Sequence, residues 1–242
     1  MFWNLDAPDC VRGSRRQRRR LLLALAAAIA SSRPAYADLL SKLTEHDASA
    51  GIKAALERGA QAAVKLLGKT DGFWGNDRVR IALPDWLHKA EGMLRVMGRQ
   101  HEVDDLHVAI NRAAEQAVPQ AKSLLVSAVR SMSVEDAKKV LTGGDNSATQ
   151  FFESKTRTPL DGRFLPIVTK VTQRIGLAQQ YDALAQRGQS LGLLHEDSSI
   201  EHHVTTKALD GLYLMIGDEE KKIRADPAGT GSAVLKKVFG AL

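Results

Sequence analysis

Two cation–carboxylate pairs stand three residues apart in stretches that read as helix: Arg112 with Glu115, and Lys207 with Asp210. Residues at that spacing share a helical face. Each pair can tie an ion pair or, where a cleft raises the pKa of the carboxyl, set an acid–base group beside an anion-holding cation. Asn111 adds an amide beside the first pair, and Lys155 and Arg163 flank what reads as a helix-to-helix connection. Convergence of these seven side chains would make a cleft for a polar or anionic ligand. Dispersed, they are ion pairs and caps that tie a bundle together, the commoner use of such groups.

Other constellations carry less. Asp85 with His88 and Asp104 with His107 each place a carboxylate and an imidazole on one helical face. Helical di-iron centres take Glu-x-x-His from two helices and a glutamate from each of two more. Here the acid is aspartate and no partner glutamates can be nominated, so no metal site and no cofactor are assigned. His202 and His203 are adjacent and point to different faces, and His195 falls in a polar loop. Gly188-Gln189-Ser190-Leu191-Gly192 has the Gly-x-Ser-x-Gly spacing, but it stands in a stretch that reads as loop and follows no strand, the setting a nucleophile elbow requires. Gly143-Gly144-Asp145-Asn146 lacks the Gly-Lys-Ser/Thr of a phosphate loop and reads as a helix stop followed by a cap. The loop Asp71–Asn76 carries Phe73 and Trp74 between glycines, either as core plugs or as a loop that contacts a partner.

The elements that must position these residues are helical. Ile52, Ala55, Leu56, Ala60, Ala63, Val64 and Leu67 make one apolar stripe, predicting a helix over about 47–67 that Gly68 ends. Val79–Leu83 alternates but stops at Pro84 and has no visible partner, so it reads as extended loop. A helix follows over about 84–97. Another spans about 103–132, where Pro119 predicts a kink or two abutting helices. Ser133 and Asp136 form an acidic capping box. Asp145 or Asn146 caps a helix to about Arg157, and Thr158-Pro159 starts the next. Leu160, Phe164, Ile167, Val168, Val171 and Ile175 line that helix, with Pro166 bending it or marking its start. A shorter helix runs to about Arg187. Val204, Ala208, Leu212, Met215 and Ile216 face one way on a helix over about 200–224, and a frayed helix closes the chain. The fold class is all-α: a single-domain irregular helical bundle of about seven to nine helices.

Charge separates a leader from the domain. Residues 1–37 hold seven arginines and two acids; removing them from 34 basic and 28 acidic residues leaves 27 and 26, so the net +6 falls to +1. No case for nucleic acid survives that subtraction. Six arginines between Arg12 and Arg20, ten apolar residues from Leu21 to Ala30, and Ala35-Tyr36-Ala37 read as a signal peptide cleaved after Ala37. The apolar run is shorter than the ~20 residues of a permanent span. Ser14-Arg15-Arg16 could open a twin-arginine signal, but Arg18 stands where an apolar residue would follow. Cys10 leaves with the leader, so residues 38–242 form one periplasmic domain with no thiol, disulfide or transmembrane anchor.

Five strings then converge on a family: Asp71–Asn76 with Ile81–Pro84; Asn111–Glu115; Ala148–Phe152 with Lys155-Thr156; Arg163–Val168; and Val204–Leu212 trailed by Glu219–Arg224. In this order and spacing they resemble the bacterial family called "domain of unknown function 4197", over nearly all of residues 38–242. Trp74 departs from the leucine or similar residue associated with that loop. The resemblance implies a helical, exported bacterial protein and no activity.

The expected function is therefore binding. A partner protein or small polar or anionic ligand would be held by Asn111, Arg112, Glu115, Lys155, Arg163, Lys207 and Asp210. The alternative is a cell-envelope enzyme with Glu115 or Asp210 as acid–base groups and Arg or Lys as anion clamps. A helix-mediated homo-oligomer is a third reading. Intact mass of protein recovered from the periplasm of an expressing cell should begin at Asp38; a chain that retains Arg12–Arg20 would overturn the export reading.

Overall fold

The computed structural model describes residues 33–85, 91–92, 95–96, 98, 100–174 and 199–226. Contacts divide the chain into two compact units, Met1–Asp47 and Ala48–Leu242, and the core lies in the second. The elements are α1 (Arg33–Leu67), α2 (Gln100–Ala117), a 3-10 turn (Val118–Gln120), α3 (Ala121–Arg130), α4 (Val134–Thr142), α5 (Ser147–Arg174) and α6 (Ile200–Ala225). All are helical, and no strand occurs among the described residues. The helices expected near 176–187 and at the C-terminus lie outside those residues, as does most of the one at 84–97. The six α-helices described therefore do not reach the expected seven to nine.

Periodicity placed the cores of these helices well. Every residue of the α1 stripe from Ile52 to Leu67 is buried, as is each of the five on α6. Ser133 accepts from the Asp136 backbone N–H while the Asp136 carboxylate accepts from the Ser133 N–H. Those bonds hold the Asp136 carboxyl below its usual pKa. Pro119 divides the expected 103–132 helix into α2 and α3 through one 3-10 turn, since proline has no N–H to donate into the α ladder.

Two boundaries differ from expectation. Helix α1 begins at Arg33 rather than near Asp47, because Pro34 is tolerated in a first turn and the residues after it are mostly good helix formers. Helix α5 runs unbroken from Ser147 through both Pro159 and Pro166, where the sequence suggested two helices. Both prolines are exposed, as are Lys155 and Gly162, whose carbonyls lose their i+4 donors. Water can satisfy those carbonyls. The opposite face buries Phe152, Thr156, Leu160, Phe164 and Val168 at every fourth position, and packing on that face keeps the helix continuous.

Helix α5 is the hub, packing on α6, α2, α3 and α4, while α2 also packs on α6. The α1 stripe meets the same cluster of buried residues. Phe73, fully buried, drives its ring against α6 where Gly211 leaves room. A Cβ at Gly211 would stand 2.8 Å from the Phe73 ring and 3.3 Å from Val79. Gly211→Ala should therefore cost about 1–3 kcal/mol by overpacking. By contrast Gly162→Ala, with open space around its added methyl on an exposed helical face, should gain about 0.5–1 kcal/mol. Urea unfolding of both checks the contrast, and equal effects would refute this account of the Phe73 seat.

Candidate functional site

Residues 68–84, which follow α1, have no helix or strand of their own. Side chains of α2 stand in for one. Glu115 Oε1 accepts from the backbone N–H of Phe73 at 3.0 Å and of Trp74 at 3.2 Å. Its Oε2 accepts from Arg112 Nη1 at 2.7 Å. Arg112 then reaches Asp71 Oδ1 at 2.7 Å through Nη2. These charged bonds raise the guanidinium above its usual pKa. Asp71 sits at φ +64°, a conformation aspartate tolerates better than most residues. Gly72 follows because a Cβ there would lie 2.3 Å from the Leu67 carbonyl oxygen.

Asn111 works one turn earlier on the same helix. Fully buried, it accepts from the Ile81 N–H at 2.8 Å and donates to the Ile81 carbonyl at 2.9 Å and to that of His107 at 2.8 Å. One amide thus gives Ile81 the two bonds that a neighbouring strand would have supplied. Val79, Ile81 and Leu83 point inward while Arg80 and Ala82 stay exposed, which explains the strand-like alternation without a strand.

Helix α6 holds the outer side of this segment. Arg78 forms a two-armed pair with Asp218, Nη1 to Oδ2 and Nη2 to Oδ1, the second at 3.1 Å. The pair holds the Asp218 carboxyl below its usual pKa. His203 Nε2 lies 2.9 Å from the Ala82 carbonyl oxygen. Burial pushes its pKa down against that bond.

A second device of the same design holds α5. Glu220, buried on α6, accepts from the N–H groups of Ala148 and Thr149 at 3.0 and 2.9 Å, and from the Thr149 hydroxyl at 2.8 Å. Arg224, one turn on, pairs with Glu220 and donates to the Val140 carbonyl and the Ser147 hydroxyl at 2.8 and 2.6 Å. The N-terminus of α5 is capped by a carboxylate from another helix, not by the side chain of Asp145 or Asn146. That site is filled by the protein's own anion.

The expected site residues do not converge. Asn111, Arg112 and Glu115 cluster on α2. Asp210 pairs with Arg157, whose guanidinium also stacks 5.6 Å from the Tyr213 ring. Lys207 lies 4.0 Å from Asp210 and is half exposed. Tyr213 is buried beneath this pair, sharing a hydroxyl bond with Thr156 at 2.9 Å, and burial pushes its pKa up to about 12. Arg163 is exposed and donates to the Ser123 hydroxyl at 3.0 Å, while Lys155 is exposed on α5. Phe73 has no surface to offer a partner. Trp74 is half-buried under Arg80, whose Nε donates to the Trp74 carbonyl at 2.7 Å. Of the histidine pairs, His88 lies outside the described residues, His107 stands 3.7 Å from Glu91, and Asp104 lies 3.8 Å from Arg95. No group of three or more metal-type ligands occurs among the described residues.

Two members of the set do line an open groove. The loop after α1, the end of α2 and the C-terminal half of α5 enclose about 740 Å³. Arg112 and Glu115 belong to its wall, and so do Lys69, Lys170 and Arg174, which sequence reading passed over. Lys170 and Arg174 stand one turn apart on α5, a spacing visible in the sequence but unmarked by any motif. Among the described residues neither of these two nor Lys69 makes an ion pair. Glu115, the only carboxylate in the wall among the described residues, is already occupied by Arg112 and two N–H groups. Asp210 is absent from that wall, so Glu115 and Asp210 do not form an acid–base pair across it.

Among the described residues the fold is all-helical, and its loops and helix ends are held together by buried polar clamps. The chain belongs to the family described as "Protein of unknown function (DUF4197)", which matches residues 42–240. No curated protein and no solved structure matches it. The described residues include no helix long and apolar enough to cross a membrane.

Removing Glu115 would strand two backbone N–H groups and leave the half-buried Arg112 guanidinium with Asp71 alone. Glu115→Ala should lower stability by about 3–5 kcal/mol, the range for breaking a buried pair. Glu115→Gln, which keeps one acceptor oxygen, should lose less, and exposed Lys155→Ala should stay within about 0.5 kcal/mol. Chemical denaturation of the three variants checks the order; a Glu115→Ala loss no larger than that of Lys155→Ala would refute the clamp.

Proposed function

We propose that this domain is a non-enzymatic periplasmic binding module that takes an anionic ligand in the groove between the end of α2 and the second half of α5. The single observation that carries the reading is the charge imbalance of the groove. Lys69, Lys170 and Arg174 lack carboxylate partners among the described residues, although acidic and basic residues are nearly equal in number over 38–242. The macrodipole at the end of α5 favours Lys170 and Arg174 there, yet it leaves their N–H donors free for a ligand. Arg112 contributes positive charge to the wall but is already committed to Glu115 and Asp71. Its part is to fix the groove edge rather than to close on the ligand. The groove volume suits a small organic anion rather than a lone ion. Export is supported by the arginine cluster, apolar run and Ala35-Tyr36-Ala37 of the leader.

Calorimetric titration at low salt with citrate and with inorganic pyrophosphate tests this. One of them should bind the wild-type domain, and Lys170→Ala with Arg174→Ala should weaken that binding about tenfold or more. Lys207→Ala, outside the groove, should leave it unchanged. No binding of either anion, or an equal loss in all variants, would overturn the assignment.

A further inference from the structure

A second groove, of about 730 Å³, opens between α1 and α3. It shares two wall residues, Pro119 and Gln120 of the 3-10 turn, with the groove between α2 and α5. The two are neighbours separated by one exposed turn. The second groove is also cationic: Lys122 and Arg130 line it and make no ion pair among the described residues. Arg163 reaches its edge through the 3.0 Å bond to Ser123. Its only carboxylate among the described residues, Glu57, accepts a bond from Gln61 at 3.0 Å.

We infer that the two grooves form one continuous track for a linear anionic polysaccharide that crosses the turn at Pro119–Gln120. This rests on the anion-binding reading above and extends it from a small ion to a chain. Two features of the walls select the class. Among the described residues neither groove wall contains an aromatic side chain on which unpaired bases would stack. The apolar lining is small and scattered, chiefly prolines with Ile167, Val171 and Val126, without the deep apolar pocket that anchors a protein partner. What remains between the cations is Gln61, Gln116, Gln120, Ser123 and Ser127, uncharged groups that both donate and accept. Cations together with amides and hydroxyls match a chain that carries hydroxyls between its sulfate, phosphate or carboxylate groups.

Fluorescence anisotropy with labelled heparin fragments, as the linear anionic glycan, tests the track on the full mature chain. A long fragment should bind much more tightly than its disaccharide. Lys122→Ala with Arg130→Ala should weaken the long fragment about tenfold and reduce the salt dependence of its log affinity by roughly one for each cation lost. The same variant should leave pyrophosphate or citrate binding at the first groove unchanged. Circular dichroism and an unchanged melting temperature would show that these exposed substitutions leave the fold intact.

Equal affinity for disaccharide and long fragment would overturn the track. So would a double variant that binds heparin like wild type while Lys170→Ala with Arg174→Ala does not, and that result would leave the first groove standing. Loss of small-anion binding in wild type would instead remove the underlying reading. Tighter binding of poly-glutamate or a single-stranded oligonucleotide than of heparin would assign the surface to another class of partner and overturn this one.

Discussion

The pair of backbone N–H groups at Phe73 and Trp74, captured by the carboxylate of Glu115, is the constraint from which the rest of the domain follows. A segment this short of regular structure must find partners for its buried amides elsewhere. Glu115 supplies them for the Asp71–Asn76 loop, and Asn111 does the same for Ile81. With those bonds made, Phe73 enters the core against Gly211 and the segment is pinned between α2 and α6. Arg112 closes the arrangement by bridging Glu115 to Asp71. The groove begins at the edge of that clamp, so its shape depends on the same carboxylate.

Glu220 repeats the device at the start of α5. In both places a buried glutamate meets two consecutive backbone N–H groups and an arginine three or four residues along its own helix. A carboxylate buried with three donors is far less costly than one buried alone, and the arginine supplies the countercharge. The device also explains why polar residues cluster within the shared motif strings. Asn111, Glu115 and Glu220 answer the hydrogen-bonding demands of segments far away in the chain, which no apolar residue can do.

The surface follows a different rule. Acidic and basic residues nearly balance over 38–242, yet Lys69, Lys122, Arg130, Lys170 and Arg174 line two grooves that share the Pro119–Gln120 turn and make no ion pair among the described residues. Local imbalance, not net charge, sets the field there.

Helix positions and their buried faces were legible because a helix writes its environment at intervals of three and four residues. The stripes of α1 and α6, the Ser133–Asp136 box and the break at Pro119 are all local patterns, and each was readable without knowing the fold. Arg112 and Glu115 were recognisable as a pair for the same reason. Their task was not, because it depends on N–H groups some forty positions earlier. Glu220 and Arg224 were visible only as part of a charged string, since nothing local marks a carboxylate that caps a helix more than seventy residues away. Likewise the continuity of α5 through Pro159 and Pro166 turns on which face is buried, and the grooves turn on which cations from separate helices become neighbours. The sequence alone determined which residues the helices turn inward, because that depends on short-range periodicity; only the tertiary structure decided where α1 begins, that α5 runs unbroken, and which polar groups are clamps, because those depend on packing and on distances between helices.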